Sequence, residues 1–228
     1  MEGDNCKITD KESNCCSSKV QKDDIILKDH WNNTYLNGSS EKLGWYESDP
    51  STTIDLILKT GLYKTDTILN VGAGNTTLVD ELLKNGYSNL IATDISDISL
   101  KKLENRVGKD KVEFIVDDLT NPVNLINIPP VNLWVDRAVL HFFTERKDQE
   151  AYFELLKNKV KANGFVLFAE YNLEGATRCA GLPIHRYSKE ILSKELGSEF
   201  ELIESFDFIY TMPSGDKRPY LYALYKRV

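Results

Sequence analysis

Four acidic side chains close four short apolar, β-rich runs in this chain. They are Asp94 after Asn89 to Thr93, Asp118 after Lys111 to Val116, Asp136 after Val131 to Val135, and Glu170 after Phe165 to Ala169. A lone acid at such a place most often caps the following helix. Four in series, each at the carboxyl end of a strand, point to a ligand, because open α/β sheets bind ligands there, near the switch in strand order. A fifth run, Thr67 to Val71, leads into Asn70-Val-Gly-Ala-Gly74. Two glycines there let the backbone turn sharply and lie close to a neighbour that a Cβ would block.

The spacing narrows the ligand. Asp94 follows Gly72 by about 20 positions, the offset at which an acid accepts both hydroxyls of a ribose. The third glycine of a dinucleotide fingerprint would fall at Thr77, so a pyrophosphate is not expected. Asp118 is unwelcome beside phosphate and suits an adenine amino group. Adenosine carrying a cationic tail fits such a site, and S-adenosylmethionine, with its sulfonium, is a ligand of that kind.

The elements that must position these residues alternate. A helix is expected over Asp24 to Leu36, and a second opens at Asp49-Pro50-Ser51 and ends near Gly61. Helices are also expected over Leu78 to Leu83, Ser96 to Val107 and 146–161, where Asn163-Gly164 supplies the stop, and from Ser188 to about Leu196. Residues 172–187 read as irregular. Phe200 to Phe208 and Pro219 to Arg227 alternate as two closing strands around Pro213-Ser-Gly-Asp-Lys217. Five strand–helix repeats imply a parallel sheet with helices on both faces, and an antiparallel hairpin closes it.

At 228 residues the chain suits one α/β domain, expected over 23–228 with residues 23–60 as an N-terminal lid, after a flexible tail at 1–22. A net charge of −7 without a Lys/Arg cluster argues against nucleic acid and anionic membranes as partners. No apolar run approaches the ~20 residues of a membrane span, and the polar start reads as no signal peptide. A cytoplasmic monomer with reduced thiols is therefore expected. Cys6, Cys15 and Cys16 lack the spacing of a closed zinc site, so no metal is expected.

The chain resembles the class I S-adenosylmethionine-dependent methyltransferases over about residues 24–227. The carriers are ILNVGAGNTTL (68–78), ATDIS (92–96), VEFIVDDL (112–119), LWVDRAVLHFF (133–143) and GFVLFAEY (164–171). The resemblance implies a Rossmann-like, doubly wound, mostly parallel seven-stranded sheet of the α/β class. By similarity Gly72 and Gly74 approach the methionine part, Asp94 holds the ribose, and Asp118 with the Leu119 amide reads the adenine. Asn70, Ala73, Asn75, Ile95 and Asp136 complete the set on the strands. Asn70 stands where the family most often has an acid.

Asp136-Arg137-Ala138, Gly181-Leu-Pro183 with Tyr187-Ser188, and the aromatic stretch HWNNTY…GWYE (30–47) are similar to the thiopurine, thiol and tellurite-resistance branch. There the N-terminal aromatics fold over the cofactor, which implies contacts for Trp31, Trp45 and Tyr46. The expected product is S-adenosylhomocysteine, and the expected acceptor is a small molecule, a thiol or related soft nucleophile. Arg137 and His141, one turn apart on a helical backbone, would face that acceptor, with Arg137 lowering its pKa and His141 removing a proton. Glu170, Tyr171, His185, Arg186 and Cys179 are further pocket candidates. A protein-lysine N-methyltransferase remains the alternative, suggested by Tyr87-Ser-Asn-Leu90 and an acidic surface suited to a basic protein. A cofactor-binding module without catalysis is the third reading.

Overall fold

A computed structural model of the protein describes residues 27–228. The expected tail and its three cysteines lie outside the described residues. Five strands run parallel: β1 (Ile68–Val71), β2 (Leu90–Asp94), β3 (Glu113–Val116), β4 (Val131–Arg137) and β5 (Val160–Tyr171). A small two-stranded hairpin follows, β6 (Arg178–Cys179) with β7 (Leu182–Pro183). The closing strands β8 (Phe200–Thr211) and β9 (Lys217–Arg227) pair antiparallel, and β9 joins the sheet beside β5. The seven-stranded order is β3-β2-β1-β4-β5-β9-β8, so it reverses between β1 and β4.

The described residues form six α-helices, α1 (Leu27–Asn37), α2 (Ser51–Lys59), α3 (Leu78–Lys84), α4 (Asp97–Val107), α5 (Arg146–Lys159) and α6 (Lys189–Leu196), of which α2 to α6 cover the two faces. Every residue of β1 and β2 is buried, as strands covered on both faces require. One core holds Leu69, Trp134 and Phe168 against Tyr152 and Leu156 of α5 and Leu192 of α6. The other holds Ile68, Leu133 and Leu167 against Ile57, Val79, Leu82 and Leu103 of α2, α3 and α4. Local chemistry sets the helix starts. The Ser96 hydroxyl accepts from the Ser99 amide, and the Ser188 hydroxyl from the Ile191 amide, each taking an otherwise orphaned donor of the first turn.

Two boundaries differ from the sequence expectation. Asn163-Gly164 does not end a helix; β5 already begins at Val160. Asn163 takes a left-handed φ of 62° inside the strand, and the β4–β5 register slips between Val131 and Leu133. The pair therefore makes a bulge, the other use of a left-handed residue. Residues 172–187, expected to be irregular, contain the β6–β7 hairpin. No helix among the described residues is long and apolar enough to cross a membrane.

Leu103 is fully buried between α4 and the sheet. Leu103→Ala is expected to cost about 2–5 kcal/mol of unfolding free energy, read as a lower urea midpoint at unchanged m-value.

Candidate active site

A cavity opens over the carboxyl ends of β1 to β4, astride the reversal in strand order. Its two halves differ in charge. On the β2–β3 side it is lined by Asp94, Ile95, Asp117, Asp118 and Leu119. On the β4–β5 side it is lined by Arg137, Ala138, Val139, Phe142, Phe143 and Cys179. Leu27, Trp31 and Tyr35 of α1, with Trp45, form the roof. Arg137 is the one cation among the described lining residues.

The acids owe their positions to backbone donors. Asp94 accepts from the Gly74 amide and the Ser96 amide, both at 2.8 Å. Burial nonetheless pushes its carboxyl up to about 6, against the lowering by those bonds. Asp117 accepts from the amides of Val123, Asn124 and Leu125 and so holds the loop after β3. Asp118 accepts from Thr120 through both amide and hydroxyl. The glycine turn has its own constraint. Gly72 and Gly74 both take φ of 54°, a left-handed conformation that costs glycine little. A Cβ at Gly72 would overlap Val139, and one at Gly74 would overlap the Tyr35 hydroxyl. The room expected for a ligand at these glycines is here filled by two side chains of the chain itself.

The roof is latched rather than draped. Trp31 meets Trp45 edge-on at 5.4 Å and Phe142 at 4.9 Å, and the Trp45 indole N–H donates to the Tyr35 hydroxyl at 3.3 Å. Below it, three consecutive carbonyls are caught by side chains from three parts of the sheet domain. Arg137 Nη1 donates to Trp45 O at 2.9 Å, Tyr210 Oη to Tyr46 O at 2.5 Å, and Thr77 Oγ1 to Glu47 O at 2.7 Å. Arg137 Nε also lies 3.1 Å from Glu47 Oε2 in a buried ion pair. Its guanidinium sits 4.7 Å from the Tyr210 ring centre and 5.6 Å from that of Tyr220. Burial pushes the Glu47 carboxyl up, and Arg137 opposes this.

The expected site residues thus separate. Trp31, Trp45, Gly72, Asp94, Ile95, Asp118, Leu119 and Arg137 line the cavity. Gly74 stands behind it as a donor to Asp94, and Ala73 is buried beside it. Tyr46 faces an outer groove with β8, and Asn75 is bonded to Ser40 and Arg106. Asn70 is buried within β1, and its Nδ2 has no partner among the described residues.

Asp136, His141 and Glu170 lie beneath the wall, each with no exposed surface. Arg137 and His141 do not share a face, because the chain leaves β4 through a left-handed Ala138 and a short 3-10 turn at Leu140–Phe142. Arg186 is spent on the carbonyls of Leu173 and Gly175, and His185 packs on Tyr187. Tyr171 is buried against Tyr220. Tyr35, within the aromatic stretch 30–47, and Phe142, within LWVDRAVLHFF, are not among the expected site residues, and both line the cavity.

The sequence segment that builds this floor, residues 69–168, matches a family described as a methyltransferase domain. That segment is similar to a methyl-transferring domain from β1 to most of β5. No curated protein matches the sequence. Among solved structures, a SAM-dependent methyltransferase from Anabaena variabilis is similar with a TM-score of 0.72 and 15% identity, covering 89% of this chain and 93% of that one. A protein described with the conversion of a disulfide bond into a thioacetal group during echinomycin biosynthesis is similar at 0.70 and 14%, covering 88% and 91%. The magnesium protoporphyrin IX methyltransferase of Synechocystis, solved with bound SAH, is similar at 0.67 and 12%, covering 89% and 98%. These likenesses show the fold.

Glu47→Leu leaves the Arg137 charge buried without its partner. It is expected to destabilise the protein by about 3–5 kcal/mol, and Glu47→Leu/Arg137→Met to regain most of that, both read by urea unfolding.

Proposed function

We propose that this methyltransferase-domain protein transfers the methyl group of S-adenosylmethionine to a small-molecule soft nucleophile, a thiol or its heavier relatives. The observation that carries the acceptor class is the missing base. Among the described residues on the β4–β5 side, no carboxylate or imidazole reaches the cavity. Asp136, His141 and Glu170 are fully buried behind the wall. An acceptor bound there must already be a competent nucleophile near neutral pH. A thiol, with a pKa of about 8.5, meets that condition far better than a lysine at about 10.4. Wall residues Trp31, Phe142 and Phe143 suit a polarizable, poorly hydrated acceptor.

The donor set suits the cofactor. The β2–β3 half is lined by three acids and no cation, so it accepts hydroxyl and amino donors and disfavours phosphate. Asp94 would take the ribose hydroxyls, Asp118 and the Leu119 backbone the adenine, and Ile95 and Leu119 the faces of the base. Trp31, Trp45 and Tyr35 would close over the ligand and exclude water. When bound, the cofactor supplies an electrophilic methyl group on a positive sulfur. The chain's contribution is alignment in a dry pocket, worth several kcal/mol or more. Arg137 holds the roof strap and biases an acceptor toward its anion, tempered by Glu47.

Labelled cofactor offered to a panel of small thiols, selenols and tellurite, alongside a protein lysate, tests this reading. Label in the small acceptors supports it. Label on protein lysines with the panel silent would replace it with a protein methyltransferase.

Two further outcomes are expected for the cofactor half. Asp94→Ala should weaken S-adenosylhomocysteine binding about 10-fold or more in calorimetry, the loss of hydrogen bonds to a charged group. The pH dependence has a definite sign. Hydroxyl donors favour the ionised carboxylate, so the liganded Asp94 pKa falls below its free value near 6. Affinity should rise about tenfold from pH 5 to pH 7, with net proton release on binding. An affinity flat across that range would exclude Asp94 as the ribose ligand.

A further inference from the structure

We propose that His141 is a positioning residue: paired with Glu170, it pins the loop Ala138–Phe143 as the wall of the transfer site and exchanges no proton with the acceptor. The inference rests on the methyltransferase reading for its catalytic consequence, while its structural part stands alone.

The loop is anchored from below. His141 Nδ1 and Glu170 Oε2 lie 2.5 Å apart, and neither side chain has exposed surface. The other oxygen of Glu170 accepts from the Val139 amide at 3.2 Å, and the amides of Leu140 and His141 also face this carboxylate. Glu170 thus faces three successive N–H groups at the start of the 3-10 turn and takes that of Val139, a donor that the turn cannot satisfy internally. The Val139 amide is shared with Asp136 Oδ1 at 3.1 Å, and Asp136 Oδ2 accepts from Tyr152, which accepts in turn from the Trp134 indole. His141 is the one imidazole in this arrangement, and its backbone carbonyl accepts from the His185 amide at 2.7 Å.

What the anchor holds is strained and faces the cavity. Ala138 has a φ of 66°, a left-handed conformation that a residue with a Cβ adopts only when its surroundings demand it. Ala138, Val139, Phe142 and Phe143 all line the cavity, and Val139 lies where a Cβ of Gly72 would be. The pair therefore sets how closely the β4 wall approaches the glycine turn of β1. Burial pushes Glu170 up to about 7, and burial with Glu170 beside it pushes Asp136 up as well. The groups facing His141 and Glu170 are Asp136 of β4, Tyr152 of α5, Tyr171 of β5, and Tyr187 with His185 ahead of α6. Asp136 and the three tyrosines are buried on the core side of the wall, and His185 is half-buried.

His141→Asn keeps an N–H donor near Nδ1 but cannot act as a base, whereas His141→Leu removes the donor. Two readouts are taken on the full chain. Hydrogen exchange of the amides of residues 138–143 should be as slow in His141→Asn as in the wild type and at least tenfold faster in His141→Leu. Turnover of a small thiol by His141→Asn should stay within about threefold of wild type with the same pH profile, and His141→Leu should lose tenfold or more in S-adenosylhomocysteine affinity. Should His141→Leu not fold, Glu170→Ala takes its place in the exchange arm. Loss of turnover by a hundredfold in His141→Asn with ligand affinity intact would make His141 a base and overturn the proposal. Unchanged loop exchange in His141→Leu would overturn it as well. Failure of the wild type to bind S-adenosylhomocysteine would instead strike the functional reading, and the exchange arm would still decide the role of His141.

Discussion

A carboxylate taken out of water must be met by N–H or O–H donors, and that requirement builds the upper rim of this sheet. Asp94 gathers Gly74 and Ser96. Asp117 gathers the loop from Val123 to Leu125. Asp136 and Glu170 share Val139 and hold the 3-10 turn after β4. Each acid thereby fixes either the loop after its own strand or the turn of the strand beside it. The cavity is the space left between loops fixed in this way. Of the three acids that line it, Asp117 is committed to loop amides, which leaves Asp94 and Asp118 to a ligand.

This explains what the sequence could and could not disclose. A β-rich run followed by an acid is a local pattern, so the strands, their parallel order and the acids at their ends were legible. The distinction between an acid that faces a ligand and one that holds a loop is not local. Asp117 and Asp118 are adjacent, yet one is committed to three amides six to eight residues on and the other stays available. His141 was separated from Arg137 by one left-handed alanine, a conformation no propensity assigns to that residue. Asn163-Gly164 is an equally good helix stop and strand bulge, and pairing with β4 on both sides of it, at Val160 and Phe165, makes it the bulge. Tyr35 lay in an aromatic stretch expected over the cofactor, but the sequence does not show which ring of that stretch turns into the cavity.

The roof illustrates how a short irregular segment becomes part of a rigid core. Residues 45–47 contribute no strand or helix, so their carbonyls need donors from elsewhere. Those donors come from β4, β8 and the turn before α3, which ties the N-terminal segment to elements far apart in the chain. Arg137 is suited to this work because its planar fork serves the Trp45 carbonyl and the Glu47 carboxylate together while the rings of Tyr210 and Tyr220 lie close to it. Its charge is matched inside the strap, not by the strand-end acids. Neutralising those acids therefore falls to backbone and hydroxyl donors, which leaves the β2–β3 half of the cavity acidic.

On the proposed reading, that asymmetry of charge is what suits the cavity to methyl transfer from a cation. Opposite charges cancel as a sulfonium methyl moves to an anionic acceptor, so a polar, water-filled acceptor end would favour the reactants over the transition state. The β4–β5 half is instead walled by Phe142, Phe143, Val139 and the tryptophans, with one cation already paired. Proton-carrying groups are present in number, but the wall turns them inward: Asp136, His141 and Glu170 face the core and stabilise loop amides. On that reading the described residues of this half align and desolvate an acceptor, and none of them takes its proton. Selection among acceptors then follows from intrinsic acidity and polarizability, with the aromatic wall setting the size and shape that can be aligned.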